Sequence, residues 1–178
     1  MSGCAGLTFG PALEPSGAPG QRRFNEPPAM QIDPRKRYQA VIKTGKGTIT
    51  LCLDPALAPK TVNNYVFLAR NLYYDNLTFH RVVPGFVIQG GCPRGDGTGG
   101  PGYRFSDEPV KEPYVEGAVA MANSGPNTNG SQFFITNADA SGLPRQYNLF
   151  GHVEAGIDVV KAIKVGDVMQ SVTVHEQT

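Results

Sequence analysis

Few of the side chains that usually do chemistry stand at spacings that would let them. His80, His152 and His175 are scattered, with no metal-ligand spacing. Cys4, Cys52 and Cys92 are odd in number and far apart, which points to neither a disulfide framework nor a zinc site. Cys52 lies in an apolar run and is expected as a small core residue. His80, between Phe79 and Arg81, reads as a structural or surface histidine. Ser131 lacks the strand–turn–helix context of an activated nucleophile. Gly95-Asp96-Gly97-Thr98-Gly99-Gly100 fits G-x-G-x-x-G, but Pro101-Gly102 and an extended-looking Tyr103-Arg104-Phe105 follow. No helix N-terminus is predicted there to receive a pyrophosphate, so a loop of close backbone approach is the better reading. Asp107-Glu108 reads as a solvated loop pair.

Two segments are harder to explain as scaffold. One is Phe79-His80-Arg81-Val82-Val83-Pro84-Gly85-Phe86-Val87-Ile88-Gln89-Gly90-Gly91. The other is Met121-Ala122-Asn123-Ser124-Gly125-Pro126-Asn127-Thr128-Asn129-Gly130-Ser131-Gln132-Phe133-Phe134-Ile135. Taken singly, Phe86 and Phe134 are ordinary core aromatics and Arg81 is an arginine at a strand end. Taken together, the segments resemble the two signature stretches of the cyclophilin family of peptidyl-prolyl cis-trans isomerases. The likeness is nearly ungapped in both, and weaker likeness runs from about Tyr38 to Val174.

The resemblance implies a cofactor-independent isomerase that turns X-Pro bonds of proline-containing polypeptides and assists their folding. It implies that Arg81 is the catalytic arginine and Gln89 its orienting partner. Phe86, Val87, Phe134 and Leu143 match the proline pocket. Asn123 matches the backbone anchor and Gln132 a further substrate contact, with Ala122, Ser124 and Gly97 on the rim. The residue types suit the task. Rotating the bond means losing amide resonance, against a barrier of roughly 18–20 kcal/mol. The twisted prolyl nitrogen gains a lone pair, and a fixed donor aimed at it stabilises that state but not the planar one. Arginine is always protonated and holds its donors in a rigid fork. A snug apolar pocket for the ring excludes water and strengthens that donor.

Four positions depart from the better-studied members of the family. Gly142 falls where eukaryotic members carry a tryptophan that contacts cyclosporin. Tyr147 falls where they carry a pocket histidine, and tyrosine can still pack on proline and donate a hydrogen bond. Val87 replaces a commoner methionine, and Cys92 stands where an acidic residue is frequent.

These groups must be carried by elements legible in the pattern. Residues 38–44 and 48–53 read as a hairpin around Gly45-Lys46-Gly47. Pro59 opens a helix to about Asn71, with Val62, Tyr65, Val66 and Ala69 on one face. Strands are predicted over 77–82, 86–89, 117–121, 132–136, 149–153 and 171–175. A second helix is predicted over 157–163, with Val159, Val160 and Ile163 inward. Short strands with many turns and two helices predict a mainly β, antiparallel barrel or sandwich. The resemblance sharpens this to a closed eight-stranded antiparallel β-barrel capped by two α-helices.

Residues 37–178 form the expected domain. Gly and Pro supply 11 of the first 36 residues but 26 of the remaining 142, so 1–36 is expected as a flexible leader or tether. Two readings of Cys4 stay open. Ser2-Gly3-Cys4-Ala5-Gly6 resembles the end of a bacterial lipobox, which would make Cys4 a lipidation site and the chain an envelope lipoprotein; that requires an apolar signal segment ahead of it. Otherwise Cys4 is a tail cysteine and the chain is cytoplasmic. A net charge of +1 points to no nucleic-acid partner. No membrane span, metal or cofactor is expected, and the chain is expected to be a monomer. A second functional reading is a non-catalytic proline-peptide binding module or holdase.

Overall fold

The computed structural model describes residues 3–178. Its strands are β1 (Phe9–Ala12), β2 (Tyr38–Thr44), β3 (Gly47–Leu53), β4 (Arg81–Val83), β5 (Val87–Gly90), β6 (Ala118–Met121), β7 (Phe133–Thr136), β8 (Leu149–Ala155) and β9 (Met169–Gln177). Its helices are α1 (Pro59–Arg70) and α2 (Ile157–Ala162). The fold is mainly β with two helices, as expected, and every sheet pairing is antiparallel.

The strand order is β1-β9-β2-β3-β8-β6-β7-β5-β4. Two points correct the closed eight-stranded barrel. A ninth strand, β1, comes from the leader. The ladder is also open between β4 and β9: the ring meets there only at a seam, with an isolated bridge Thr78↔Val168. Along the seam Phe79 N–H donates to Asp167 O at 2.9 Å and Met169 N–H to Leu77 O at 2.8 Å.

Side-chain alternation along the strands makes two apolar clusters instead of one. Ile88, Val119, Phe133, Ile135 and Phe150 point into the barrel, where Tyr65 of α1 meets the Phe133 ring edge-on at 5.2 Å. Their neighbours Val87, Ala118, Ala120, Phe134 and Leu149 point outward and form a second cluster on the outer face. Both helices run close to their predicted spans, and Pro59 occupies the first turn of α1. Val160 and Ile163 are buried and Val159 packs partly against the core.

The leader also departs from expectation. Residues 3–36 lie along the domain. Leu13 N–H donates to Val174 O at 2.8 Å, and Ser16 N–H to Arg70 O at 2.8 Å. Phe24 sets its ring edge-on against Phe67 at 5.0 Å, and Asn63 Nδ2 holds Ala29 O at 3.0 Å. Cys4 and Cys52 are joined by a disulfide. Cys52 is buried as expected, on the face of β3 opposite Leu51 and Leu53, but its bond to Cys4 corrects the reading of the three cysteines as pointing to no disulfide framework. A sulfur committed to this bond is not free to carry a lipid, so the lipidated and the bridged forms of Cys4 are mutually exclusive. Composition is an average over the segment, whereas its placement is decided by single anchors of this kind. Among the described residues no helix is long and apolar enough to cross a membrane.

Candidate active site

The outer face carries one continuous row of side chains across five strands. Register pairs Arg81 with Gln89, Gln89 with Phe134, Phe134 with Ala120 and Ala120 with Leu149. Cross-strand partners share a face, and neighbouring strands lie about 4.8 Å apart. The guanidinium of Arg81 is thus tethered two strands from the Phe134 ring. The tight Pro84-Gly85 turn, with Gly85 at φ +72°, folds β4 onto β5 and sets this register.

Arg81 is exposed, at the first residue of β4 beside the seam. Its Nη1 donates to Gln89 Oε1 at 3.4 Å, at the long end of the hydrogen-bond range. Gln89 Nε2 in turn donates to Gln132 Oε1 at 3.2 Å. Gln132 Nε2 is shared between Gly97 O and Gly99 O, both at 2.9 Å. A relay of side-chain amides therefore steers the arginine from the glycine-rich loop. Gly97 adopts φ +88°, and a Cβ there would lie 3.6 Å from His80 Nε2. His80 is partly buried as a strand-flanking residue, and burial holds its pKa below the usual histidine value.

Beside the row lies an apolar patch. Phe134 is 5% exposed and Val87 2% exposed, making a floor, while Phe86, Leu143, Tyr147 and Ala122 are partly buried around them. Tyr147 meets Phe134 edge-on at 5.5 Å. Tyr114, not singled out in the sequence, holds this wall: its hydroxyl donates to Tyr147 O at 2.6 Å and accepts from Tyr147 N–H at 3.0 Å.

The loop 122–130 forms the opposite edge. Ala122 N–H continues the ladder to Gln132 O at 3.0 Å. Asn123 Nδ2 donates to Gln146 O at 2.9 Å and its Oδ1 accepts from Gly125 N–H at 3.2 Å. Its side chain is thereby occupied, and its own peptide groups join no backbone ladder among the described residues. Ser124 is exposed, with its N–H held by Thr128 Oγ1 at 2.8 Å.

Asp107 and Glu108, expected as a solvated pair, are the supports of this loop. The Asp107 carboxylate accepts from Asn127 N–H at 3.1 Å and from Asn129 Nδ2 at 2.9 Å. Glu108 accepts from the Lys60 and Thr61 N–H groups at 3.0 and 2.8 Å, capping α1 in place of a local cap residue. No local spacing betrays either role, because the partners are about 20 and 47 residues away.

The family model for cyclophilin type peptidyl-prolyl cis-trans isomerase matches residues 39–178. The chain belongs to the cyclophilin family. A peptidyl-prolyl cis-trans isomerase of Synechococcus elongatus is 46% identical over 138 residues, covering 76% of this chain and 95% of that one. Peptidyl-prolyl cis-trans isomerase B of Bacillus subtilis is 48% identical over 125 residues, covering 69% and 87%. A Rhizopus delemar relative is 48% identical over 158 residues, but the match spans only 25% of that longer protein. The crystal structure of a Cryptosporidium parvum cyclophilin type isomerase superimposes with TM-score 0.72 at 32% identity, covering 78% of this chain and 98% of that one.

As a cyclophilin the chain has an open rim. A Cβ at Gly142 would meet nothing within 4 Å, so this position beside Leu143 borders open space. Cys92 is buried in the glycine-rich loop. Burial pushes its thiol pKa up, but the Gly99 N–H at 3.3 Å and the neighbouring loop amides outweigh this and hold it below the usual thiol value. Among the described residues no cluster of His, Cys, Asp or Glu could hold a metal.

Proposed function

We propose that this cyclophilin accelerates cis-trans rotation of X-Pro bonds through Arg81, with the proline ring seated on the Phe134 patch. The observation that carries the reading is the cross-strand row in which Arg81, Gln89 and Phe134 stand side by side on the outer face. A proline resting on Phe134 among Phe86, Val87, Leu143 and Tyr147 presents its nitrogen toward the guanidinium. Gln89 and Gln132 keep that guanidinium aimed. The unladdered peptide of Asn123 holds the residue before the proline while the bond turns, with Ala122, Ser124 and Gly97 at the rim. The reaction makes and breaks no covalent bond, so it asks for an aimed donor and a dry seat and for no nucleophile. The natural substrates are exposed X-Pro bonds in polypeptides that are still folding.

Arg81→Ala is expected to lower kcat/KM on an Xaa-Pro peptide by about 10²–10³-fold, the usual cost of removing one transition-state donor. Peptide binding is expected to change little, because the planar ground state gains little from that donor. Unchanged acceleration of a proline-limited refolding reaction by Arg81→Ala would rule out the catalytic role of Arg81, whereas binding of the peptide with no acceleration by the wild type would favour the holdase reading.

A further inference from the structure

Next to the proline patch the surface opens into a cleft of about 920 Å³. It starts at Gln89, Gln132 and Asn123 and runs toward Gly102. Four arginines line it: Arg94 and Arg104 from the loop, and Arg22 and Arg23 from the leader, outside the matched family region. None of the lining residues is acidic. For a chain of net charge +1 this is a strong local concentration of one sign.

The leader is built into this wall. Phe24 N–H donates to Pro101 O at 2.8 Å, and a Cβ at Gly102 would come within 2.7 Å of Phe24 O, so the two segments fit only with glycine there. Arg22 lies over the Tyr73 ring at 5.5 Å and donates to Asp75 O at 3.3 Å, and one of its guanidinium nitrogens, Nη1, is buried without a partner. Arg23 and Arg104 are exposed, and neither enters an ion pair among the described residues. The Asp96 carboxylate, two residues after Arg94 and within its field, accepts from Thr98 N–H at 2.9 Å and from Thr98 Oγ1 at 2.6 Å.

We propose that this cleft is a carboxylate-selecting subsite, which favours substrates with Asp or Glu two or three residues before the proline. The inference rests on the isomerase reading. With the proline on Phe134 and the preceding residue held at Asn123, the chain upstream of the proline passes into the cleft. A carboxylate there meets the forked donors of Arg23 and Arg104, which suit that shape. Part of the selectivity would then come from Arg23, in a segment outside the matched family region.

The test compares isomerisation of three tetrapeptides on the full chain: Glu-Ala-Pro-Phe, Gln-Ala-Pro-Phe, and a control with Glu placed after the proline. The expected result is a kcat/KM about three- to tenfold higher for the first, as for two exposed ion pairs. That gain is expected to vanish in 0.5 M NaCl, where the Debye length drops below about 5 Å. It is also expected to vanish in the Arg23→Ser, Arg104→Ser double variant, whose rate on the Gln peptide stays at the wild-type value. Equal rates on the Glu and Gln peptides would overturn the subsite and leave the isomerase reading standing. So would an equal gain from Glu after the proline, or a preference that survives both salt and the double variant. No acceleration of any of the three peptides would overturn both.

Discussion

Removing the Cys4–Cys52 bridge by Cys4→Ser is expected to destabilise the fold without touching the chemistry. The two residues are 48 apart in sequence. In the chain-entropy account, opening a loop of that length returns about 4 kcal/mol of conformational freedom to the unfolded state. Unfolding entropy of about 2.1 cal/mol/K per residue gives roughly 0.4 kcal/mol/K for this chain, so the melting temperature is expected to fall by about 10 °C. The measurement is a thermal melt of wild type and variant, with thiol titration of the wild type in denaturant and no reductant. One reactive thiol, Cys92, is expected, because Cys4 and Cys52 are paired and Cys92 is free. Activity on a neutral Xaa-Pro peptide is expected to hold, since Cys52 lies on β3, outside the row from Arg81 to Leu149. Three thiols in the titration would show the bridge absent, and an unchanged melt with one thiol would show that it adds nothing to stability.

Two further perturbations probe the supports of the site and the titrating groups of the fold. Asp107→Ala removes both acceptors that brace Asn127 and Asn129, so kcat/KM is expected to drop roughly tenfold through misplacement of the Asn123 edge, while Asp107→Asn, which keeps one acceptor oxygen, recovers part of the loss. His80 and His152 both have pKa values held below the usual histidine value, chiefly by burial. Between those values and about 6.5 the unfolded chain therefore binds more protons than the folded one, so stability is full above pH 6.5 and falls as the pH drops through the folded values. The melting temperature is expected to decline from pH 7.5 to 5.5, and a His80→Gln, His152→Gln variant is expected to show a flatter profile.

What the amino-acid sequence makes legible is what local spacing encodes. The alternation in Thr48–Leu53 and the helical face of Val62, Tyr65, Val66 and Ala69 are set by neighbours within a turn or a hairpin, and both elements stand where predicted. The pairing of Arg81 with Gln89 is local in the same sense, since only the Pro84-Gly85 turn separates their strands. The supports were not legible. Glu108 caps a helix that starts 49 residues earlier, and Asp107 braces a loop 20 residues later. Three cysteines far apart pointed to no disulfide framework, and nothing local to Cys4 or Cys52 shows that residues 48 apart would meet. The Gly/Pro content of 1–36 hid the facts that decide its placement: one disulfide, one aromatic ring against Phe67, and a β1 pairing only two registered residues long.

The position of the arginine follows from where the strand ladder is left open. A residue in the middle of a ladder has both flanks covered by strands, and its long side chain is packed in place. Arg81 instead begins the last strand of the order, beside a seam held by one bridge and a few backbone bonds. That leaves its guanidinium exposed and able to face a substrate, but it also removes the packing that would aim it. The amide relay through Gln89 and Gln132 to the carbonyls of Gly97 and Gly99 replaces that packing. The glycine-rich loop then has two tasks. Its carbonyls fix the far end of the relay, and its Gly102 admits the leader that brings Arg22 and Arg23 to the cleft. Aim and selectivity are thus set by the same loop, so a substitution at Gly102 that displaced the leader would alter which substrates enter while leaving the relay's own acceptors in place.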